Sequence, residues 1–525
     1  MEQIKYTNTI KRDKEFDGIT LVEHHVVKPS DKFYDILSDY CVLSRNLYNH
    51  ANYILRHQFF NKERLSTAAQ LKKRLKVDKE YPDFKVMKSS HTAFNTLKRL
   101  REAWASYFNK HENWEKNPNQ YNGEPGIPKY RKKTKKGFSV YLDYQVSNIR
   151  KDGLIHFPRI LKGFKLKPYF TENEETKHAT VQMVEIKPTN HNYIEINVAY
   201  RVSDKKPELK ENERYLGIDI GIDNLIAVGN NFGQRPFLIN GKGLKSINQD
   251  FNRRLAHYQS IIYGMNASTI KKTISKLDEE SLNKIRQNLP ENTILDIDLV
   301  LPKNRIYRKR KLKRMYKKGI KIKRLENIIQ RELIDEGRLM PYSSKMISSL
   351  YKNRTFRIRD YMHKASKILI DYAIEHNVST IIIGRNKNWK QDLKGKMYHT
   401  TIQNFTKIPH YKLIRMIEYK AMLAGIKVVK VNESYTSGTS FLDNERPIKS
   451  KYDKSRRKHR GLFVSNEGIK INADVNAAMQ IIRKFAKNEN IEKICKEYPN
   501  FKREICITEK INIPYTEKKR NLKVS

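Results

Sequence analysis

Apolar residues along the chain follow two rhythms that trade places several times. Near the start, Ile19-Thr20-Leu21-Val22 and then His24-His25-Val26-Val27 read as strand. Leu37, Tyr40, Cys41, Leu43, Leu47, Tyr48, Ala51 and Ile54 then recur at the spacing of one helix face. A second helix runs from His91 through Leu97 to Trp104 and Phe108. From 138 to 202 the rhythm shortens to the strands 139–142, 181–186 and 193–200. With the N-terminal strands these could close a small barrel, either a holder of oligonucleotides or a purely structural β module.

The second half mixes the rhythms. Residues 215–222 read as a strand with Leu216, Ile218, Ile220 and Ile222 on one face and Gly217, Asp219 and Gly221 on the other. Two antiparallel candidates follow at 225–228 and 236–239. Residues 245–376 are mainly helical and end in an amphipathic helix over 361–375. Then come strand 380–383, helix 410–424, strand 426–431, a helix carrying Asp474, and a basic tail. Strand, antiparallel pair, helix, strand, helix, strand, helix is the order of an RNase H-like domain. The fold class expected is therefore α+β and multidomain.

Two carboxylates stand out against this pattern. Asp219 sits between two glycines on a strand that should be central. Asp474 lines up with Ala477, Ala478, Ile481 and Phe485 on the helix face that should be buried. A buried carboxylate is costly unless paired or metal-bound, so the two together point to a divalent-metal site. In an RNase H-like domain, two Mg²⁺ ions about 4 Å apart would clamp the attacking and leaving oxygens of a phosphodiester. The flanking glycines are expected to leave room for the ions and the substrate backbone. Asp223 and Asp443 are alternative acids in turn-like sequence.

Charge identifies the partner. The 525 residues carry 105 Lys and Arg against 57 Asp and Glu, a formal net charge of +48. A surface that repels itself so strongly calls for a polyanion. No apolar run approaches the roughly 18–20 residues needed to span a bilayer, and the polar, charged opening residues are not a secretory signal. Nucleic acid is favoured over membrane. Two basic segments stand out. One is the Pro/Gly loop with Lys129, Tyr130, Arg131, Lys132 and Lys133. The other is 305–324, with 12 Lys or Arg and no acid, which includes Arg308, Lys309, Arg310 and Lys311. The latter suits a helix lying along phosphates and overlaps a nuclear localisation signal. Cys41, Cys495 and Cys506 form no C-x-x-C pair, so no zinc is expected. Scattered thiols fit a reducing intracellular compartment.

The motifs resemble a family. Gly217-Ile218-Asp219-Ile220-Gly221-Ile222, Tyr435-Thr436-Ser437 and Asp474-Val475-Asn476-Ala477-Ala478 resemble the RuvC-type nuclease of TnpB, a transposon-encoded RNA-guided endonuclease, and of its Fanzor relatives. Ser44-Arg45-Asn46-Leu47-Tyr48-Asn49, the helix 93–108, Gly126-Ile127-Pro128-Lys129-Tyr130 and His363-Lys364-Ala365-Ser366 extend the resemblance over most of the chain. It implies a β-barrel wedge from 1–30 and 120–205, a helical recognition module at 31–119, and a RuvC-like domain from 206–260 and 341–485. A basic helical insertion fills 261–340, a target-nucleic-acid-binding insert 438–470, and a tail 486–525. The implied partners are a guide RNA and double-stranded DNA with a short flanking motif, bound by a monomeric ribonucleoprotein. Arg456, Arg457 and Lys458 would add nucleic-acid contacts. The location would be nuclear for a Fanzor-like protein, and cytoplasm or nucleoid for a bacterial one.

The chain departs from the family pattern twice. The family's second acid, a Glu, usually ends the strand matching 380–383, where this chain has Gly384. Glu433, at the end of the next strand, is the replacement that some branches use, giving Asp219, Glu433 and Asp474 as catalytic and metal-binding residues. The zinc-ribbon cysteines expected between Tyr435-Thr436-Ser437 and Asp474 are also absent, and a hairpin around 461–469 takes their place. Two other readings stay open: a nuclease-dead RNA-guided DNA-binding protein, and a DNA transposase of the same fold.

Overall fold

The computed structural model describes residues 19–132, 137–172, 176, 178–203, 207–302, 305–339, 344–385, 408–459 and 461–514. It is a mixed α/β structure in two compact units. One comprises Met1–Lys245 with Ile358–Ser525, the other Ser246–Arg357.

The first unit opens with β1 (Ile19–Val27) and the helices α1 (Tyr34–Phe60), α2 (Ala68–Val77), α3 (Asp83–Val86) and α4 (Ser90–Lys116). The start of α2 is fixed by a reciprocal cap: Gln70 N–H donates to the Thr67 hydroxyl, and Thr67 N–H to the Gln70 side chain. Strands β2 (Val140–Asp143), β5 (Thr180–Pro188) and β6 (Ile194–Ser203) join β1 in an antiparallel sheet of order β1-β6-β5-β2. The short pair β3 (Ile155–His156) and β4 (Lys165–Leu166) lies outside it. The sheet's apolar residues Val184, Ile186, Ile196 and Val198 share a core with Leu37, Leu47 and Leu55 of α1 and Leu97 and Trp104 of α4. Among the described residues β1 and β2 remain the two edges, so the sheet is open where a closed barrel was expected. Four strands are too few to bring its edges together.

The second sheet of this unit positions the acids. It contains β7 (Tyr215–Asp219), β8 (Asn224–Asn230), β9 (Phe237–Asn240), β12 (Thr380–Gly384), β13 (Lys427–Val431) and β16 (Glu509–Ile511), in the order β13-β12-β7-β8-β9-β16. β7, β8 and β9 form an antiparallel meander, and β12 and β13 add parallel to β7 on its other side. Parallel addition needs crossovers. Helices α9 (Lys345–Glu375) and α10 (His410–Leu423) precede β12 and β13 respectively. Ile381, Ile382 and Ile383 of β12 are wholly buried, as befits a strand covered on both faces. The hairpin β14 (Leu462–Val464) and β15 (Lys470–Asn472) leads directly into α11 (Ala473–Phe485). The segment read as a tail is structured up to residue 514. It forms α12 (Ile491–Glu497), α13 (Phe501–Glu504) and then β16, which pairs parallel with β9. Glu509-Lys510-Ile511 is too short and too charged to announce itself as a strand.

The second unit holds most of α5 (Lys242–Ile274), α6 (Glu279–Gln287), α7 (Arg305–Lys317), α8 (Leu325–Asp335), the first part of α9, and a parallel pair, β10 (Thr293–Leu295) with β11 (Lys321–Lys323). Its core is small: Ile270, Leu325, Ile329, Leu333 and Leu339. The described residues include no helix long and apolar enough to cross a membrane.

Candidate active site

Glycine determines how closely α11 approaches the sheet. Gly217 of β7 and Gly229 of β8 are cross-strand partners. A Cβ on Gly217 would lie 2.1 Å from the Ala478 carbonyl oxygen, and one on Gly229 2.6 Å from the Met479 sulfur. The two positions form a flat seat on which the backbone of α11 rests, with Ala477 and Ala478 as its small-residue complement. The space beside Asp219 is therefore not kept open for ions and substrate, as the sequence suggested. Gly217 admits the helix, and Gly221 admits the carbonyl of Asn224 in the turn after β7. The strand stops at Asp219, short of the expected Ile222, because the chain turns there to start β8.

This seating brings the two carboxylates together. Asp474 lies in the first turn of α11, where Asn472 caps the helix by accepting from the N–H groups of Asp474 (2.9 Å) and Val475 (3.2 Å). The Asp474 carboxylate accepts from Asn224 Nδ2 at 2.8 Å and from Arg457 Nη2 at 3.1 Å. Asp219, at the end of β7, is held well above the usual carboxylate range. Burial is the largest cause, followed by the charges of Asp474 and Glu433; Arg457 and the Ile220 N–H act in the opposite direction.

Glu433 follows β13 by two residues. β12 and β13 are in parallel register, with Gly384 opposite Val431. A Cβ on Gly384 would lie 3.1 Å from Glu433 Oε2, 3.2 Å from Glu433 Cβ and 2.5 Å from Ile481 Cδ1. The Glu433 side chain thus lies over the glycine that ends β12. Burial raises its pKa, and Lys484 of α11 pulls it back down. The Tyr435-Thr436-Ser437 motif fixes the turn that presents it. Thr436 donates to the Glu433 carbonyl through both Oγ1 (2.8 Å) and N–H (3.2 Å), and Tyr435 takes the left-handed conformation at φ 70°. Lys484 Nζ donates to the Ser434 carbonyl at 2.5 Å. Asn476 ties the following loop to α11, accepting from Phe441 N–H and donating to the Thr439 carbonyl.

The remaining expected residues are distributed as follows. The loop with Lys129, Tyr130, Arg131 and Lys132 docks on α1. Asn49 exchanges hydrogen bonds with the Arg131 backbone, Arg56 and Asn52 donate to the Pro128 carbonyl, and the Arg131 guanidinium lies over Tyr48 and Phe138. All four of these loop residues are exposed; Lys133 lies outside the described residues. Arg308, Lys309, Arg310 and Lys311 are exposed on α7 of the other unit. Arg456 was expected on a nucleic-acid surface but is committed to the protein. It pairs with Glu445 at 2.7 Å and Asp443 at 3.4 Å and covers the Phe463 ring. Arg457 faces Asp474, and Lys458 is exposed. The alternative acids are both paired, Asp223 with Lys245 and Asp443 with Arg456. Sequence reasoning missed Asn224 and Lys484. Asn224 could have been found: a tight hairpin after Asp219 necessarily places the first residue of β8 beside it.

An acid whose proton affinity is raised by burial and by two neighbouring carboxylates belongs to the kind of donor set a hard cation relieves. Their chemistry fits Mg²⁺, which needs few protein oxygens and keeps its waters. Among the described residues, however, no three of His, Cys, Asp and Glu stand at metal-holding spacing. Arg457 supplies the neutralising charge in this arrangement.

Residues 196–293 match the family model described as a probable transposase, OrfB_IS605. Residues 410–481 match the model of the Cas12f1-like TNB domain. The first match runs past residue 261, so the opening of the segment read as an insertion belongs to the family pattern. The TnpB-like protein ORF457 of Acidianus two-tailed virus is 29% identical over 152 residues, which is 29% of this chain and 28% of that protein. The match thus spans less than a third of that relative's length. Among solved structures, a mini-RNA-guided endonuclease, CRISPR-Cas_phi3, is 12% identical, with 91% of this chain and 94% of that one covered and a TM-score of 0.40. A Cas12f1–sgRNA–target DNA complex is 12% identical over 88% and 98%, with a TM-score of 0.30. In its two matching segments and in the stretch it shares with the viral relative, the chain is similar to TnpB-family proteins.

Proposed function

We propose that this chain is an RNA-guided DNA endonuclease. Its RNase H-like, RuvC-type domain would hydrolyse phosphodiester bonds at Asp219, Glu433 and Asp474 with Mg²⁺, two ions being expected. The observation that carries this is the convergence of three acids from β7, the turn after β13 and the first turn of α11, with the charges of Asp474 and Glu433 both bearing on Asp219. The strand order β13-β12-β7-β8-β9 supports an RNase H-like domain. The two family-model matches and the net charge of +48 support a nucleic-acid substrate. Bound Mg²⁺ would stabilise negative charge developing on phosphate oxygens. The chain's own residues prepare the site. The glycine seat sets the distance between Asp219 and Asp474, Thr436 holds the Glu433 turn, and Asn224 orients the Asp474 carboxylate. Guide RNA would pair with one strand of double-stranded DNA beside a short flanking motif, in a monomeric ribonucleoprotein. The open four-stranded sheet and helices α1–α4 would grip RNA and the flanking duplex, with Lys129, Tyr130, Arg131 and Lys132 among the contacts. The protein would act in the nucleus if Fanzor-like, and in the cytoplasm or nucleoid if bacterial.

Cleavage of a guide-matched duplex in Mg²⁺ tests the reading, using Asp219→Ala, Glu433→Gln and Asp474→Ala. Full activity in any of them removes that residue from the mechanism. A second reading, RNA-guided binding without cleavage, is prompted by Gly384, which ends β12 without an acid. Wild-type protein that binds a matched target yet never nicks it in Mg²⁺ or Mn²⁺ establishes it. A third, DNA transposition, is favoured by the probable-transposase match at 196–293. A single defined RNA recovered with the purified protein argues against it.

A further inference from the structure

Helix α7 is charged on every side. Arg308, Lys309, Arg310, Lys311, Lys313 and Arg314 are all exposed. At roughly 100° per residue, they point to about 0, 100, 200, 300, 140 and 240°, so no face lacks a cation. None of them forms an ion pair among the described residues; Lys311 donates to the Val300 carbonyl, and Arg310 lies 5.9 Å from the Tyr307 ring. Helix α6 of the same unit differs. Its Arg286 is matched by Glu279 and Asp298, and its Lys284 by Glu280. The like charges at i,i+4 on α7, such as Lys309 with Lys313 and Arg310 with Arg314, each oppose the helix. No ion pair offsets them among the described residues.

A helix charged along one stripe suits a flat anionic surface. One charged all round suits a partner that flanks it on two sides. The B-form major groove is about 12 Å wide between its phosphate walls and accepts a helix about 10–12 Å across. The A-form major groove is too narrow. At about 1.5 Å per residue the 13 residues of α7 span about 20 Å, or roughly six base pairs at 3.4 Å each. The helix contains no Asn or Gln, the residues that read adenine, and cations that reach phosphates discriminate little between sequences. We propose that α7 is a sequence-tolerant duplex-DNA-binding element that seats in the major groove without guide pairing. This rests on the nucleic-acid reading above, but not on cleavage.

The test uses the full chain stripped of nucleic acid and a 40-base-pair duplex carrying no target. Wild-type protein should bind with a steep salt dependence and protect guanine N7, a major-groove atom, from dimethyl sulfate. Replacing Arg308, Lys309, Arg310 and Lys311 together by Gln should flatten the log–log salt slope by about 3–4. It should also weaken binding at least 100-fold and abolish N7 protection. Arg308→Lys with Arg310→Lys should keep the slope, which separates lost charge from lost folding. The Asp219→Asn protein should bind as wild type does, so a failed nuclease reading leaves this result intact. Unchanged slope and affinity in the fourfold variant overturn the proposal. So does wild-type binding without N7 protection, and so does a variant that keeps duplex binding but no longer retains RNA on purification.

Discussion

The molecule holds two collections of like charge, and the protein treats them in opposite ways. At the end of β7 three acids converge: burial first, and then the charges of Asp474 and Glu433, raise the proton affinity of Asp219, while burial raises that of Glu433. On α7, six cations face solvent, and water and salt screen them. Burial makes repulsion specific, since only a positive charge in that place, as Arg457 is here, relieves it. Exposure makes repulsion general, so that any polyanion of suitable shape will do. The first array should respond to single substitutions, and the second only to several at once.

The largest expected effect is at the acids. Asp219→Asn or Asp474→Asn should slow single-turnover cleavage at least about 1,000-fold, near 4 kcal/mol of barrier. The same Asp219→Asn change should raise thermal stability by about 1 kcal/mol, because it removes a charge the fold disfavours. An unchanged or lower melting temperature would break the contrast between the two arrays. Restoring the relatives' acid should fail while Glu433 remains. Gly384→Glu meets both Ile481 and Glu433 and should destabilise the protein by about 2–3 kcal/mol, whereas Gly384→Glu with Glu433→Gly should recover part of the cleavage. If both versions are equally stable, the two positions do not share one site.

Acid titration should expose a third, milder case. His363 is held down to about 4, first by burial and then by Lys420, Arg359 and His24. The unfolded chain takes up that proton first as pH falls. Stability should therefore drop by about 1–2 kcal/mol between pH 6.5 and 4, and His363→Gln should flatten this limb of a denaturation series. Last, Lys309→Gln on α7 should shift stability by less than about 0.5 kcal/mol, because a single exposed cation has little to lose. A larger shift would mean that α7 packs on its neighbours.

How much could be read from the sequence depended on the range of the forces involved. Local periodicity identified β7, β8, β9, β12, α10, β13 and α11, along with Asp219 and Asp474. Glu433 was legible only by comparing strand ends, since Gly384 offered no acid and β13 was the next parallel strand. The rest depended on tertiary contact. Gly217 reads as spare room in the sequence, but against the Ala478 carbonyl it is a packing surface. Arg456 reads as a phosphate contact until Asp443 and Glu445, brought up by the fold, neutralise it. Lys484 is an ordinary helix cation until Ser434 and Glu433 arrive beside it.

The placement of β16 also bears on how the protein is made. β9 is synthesised as residues 237–240, yet the strand that covers its outer edge comes only at 509–511. At about 5–20 residues per second, that edge waits roughly 15–55 s on the ribosome with its backbone groups unsatisfied. Asp219 likewise exists long before α11 can dock beside it. Birth order thus sets the order of assembly: a ribosome stalled between the end of β13 and residue 473 releases a chain without Asp474.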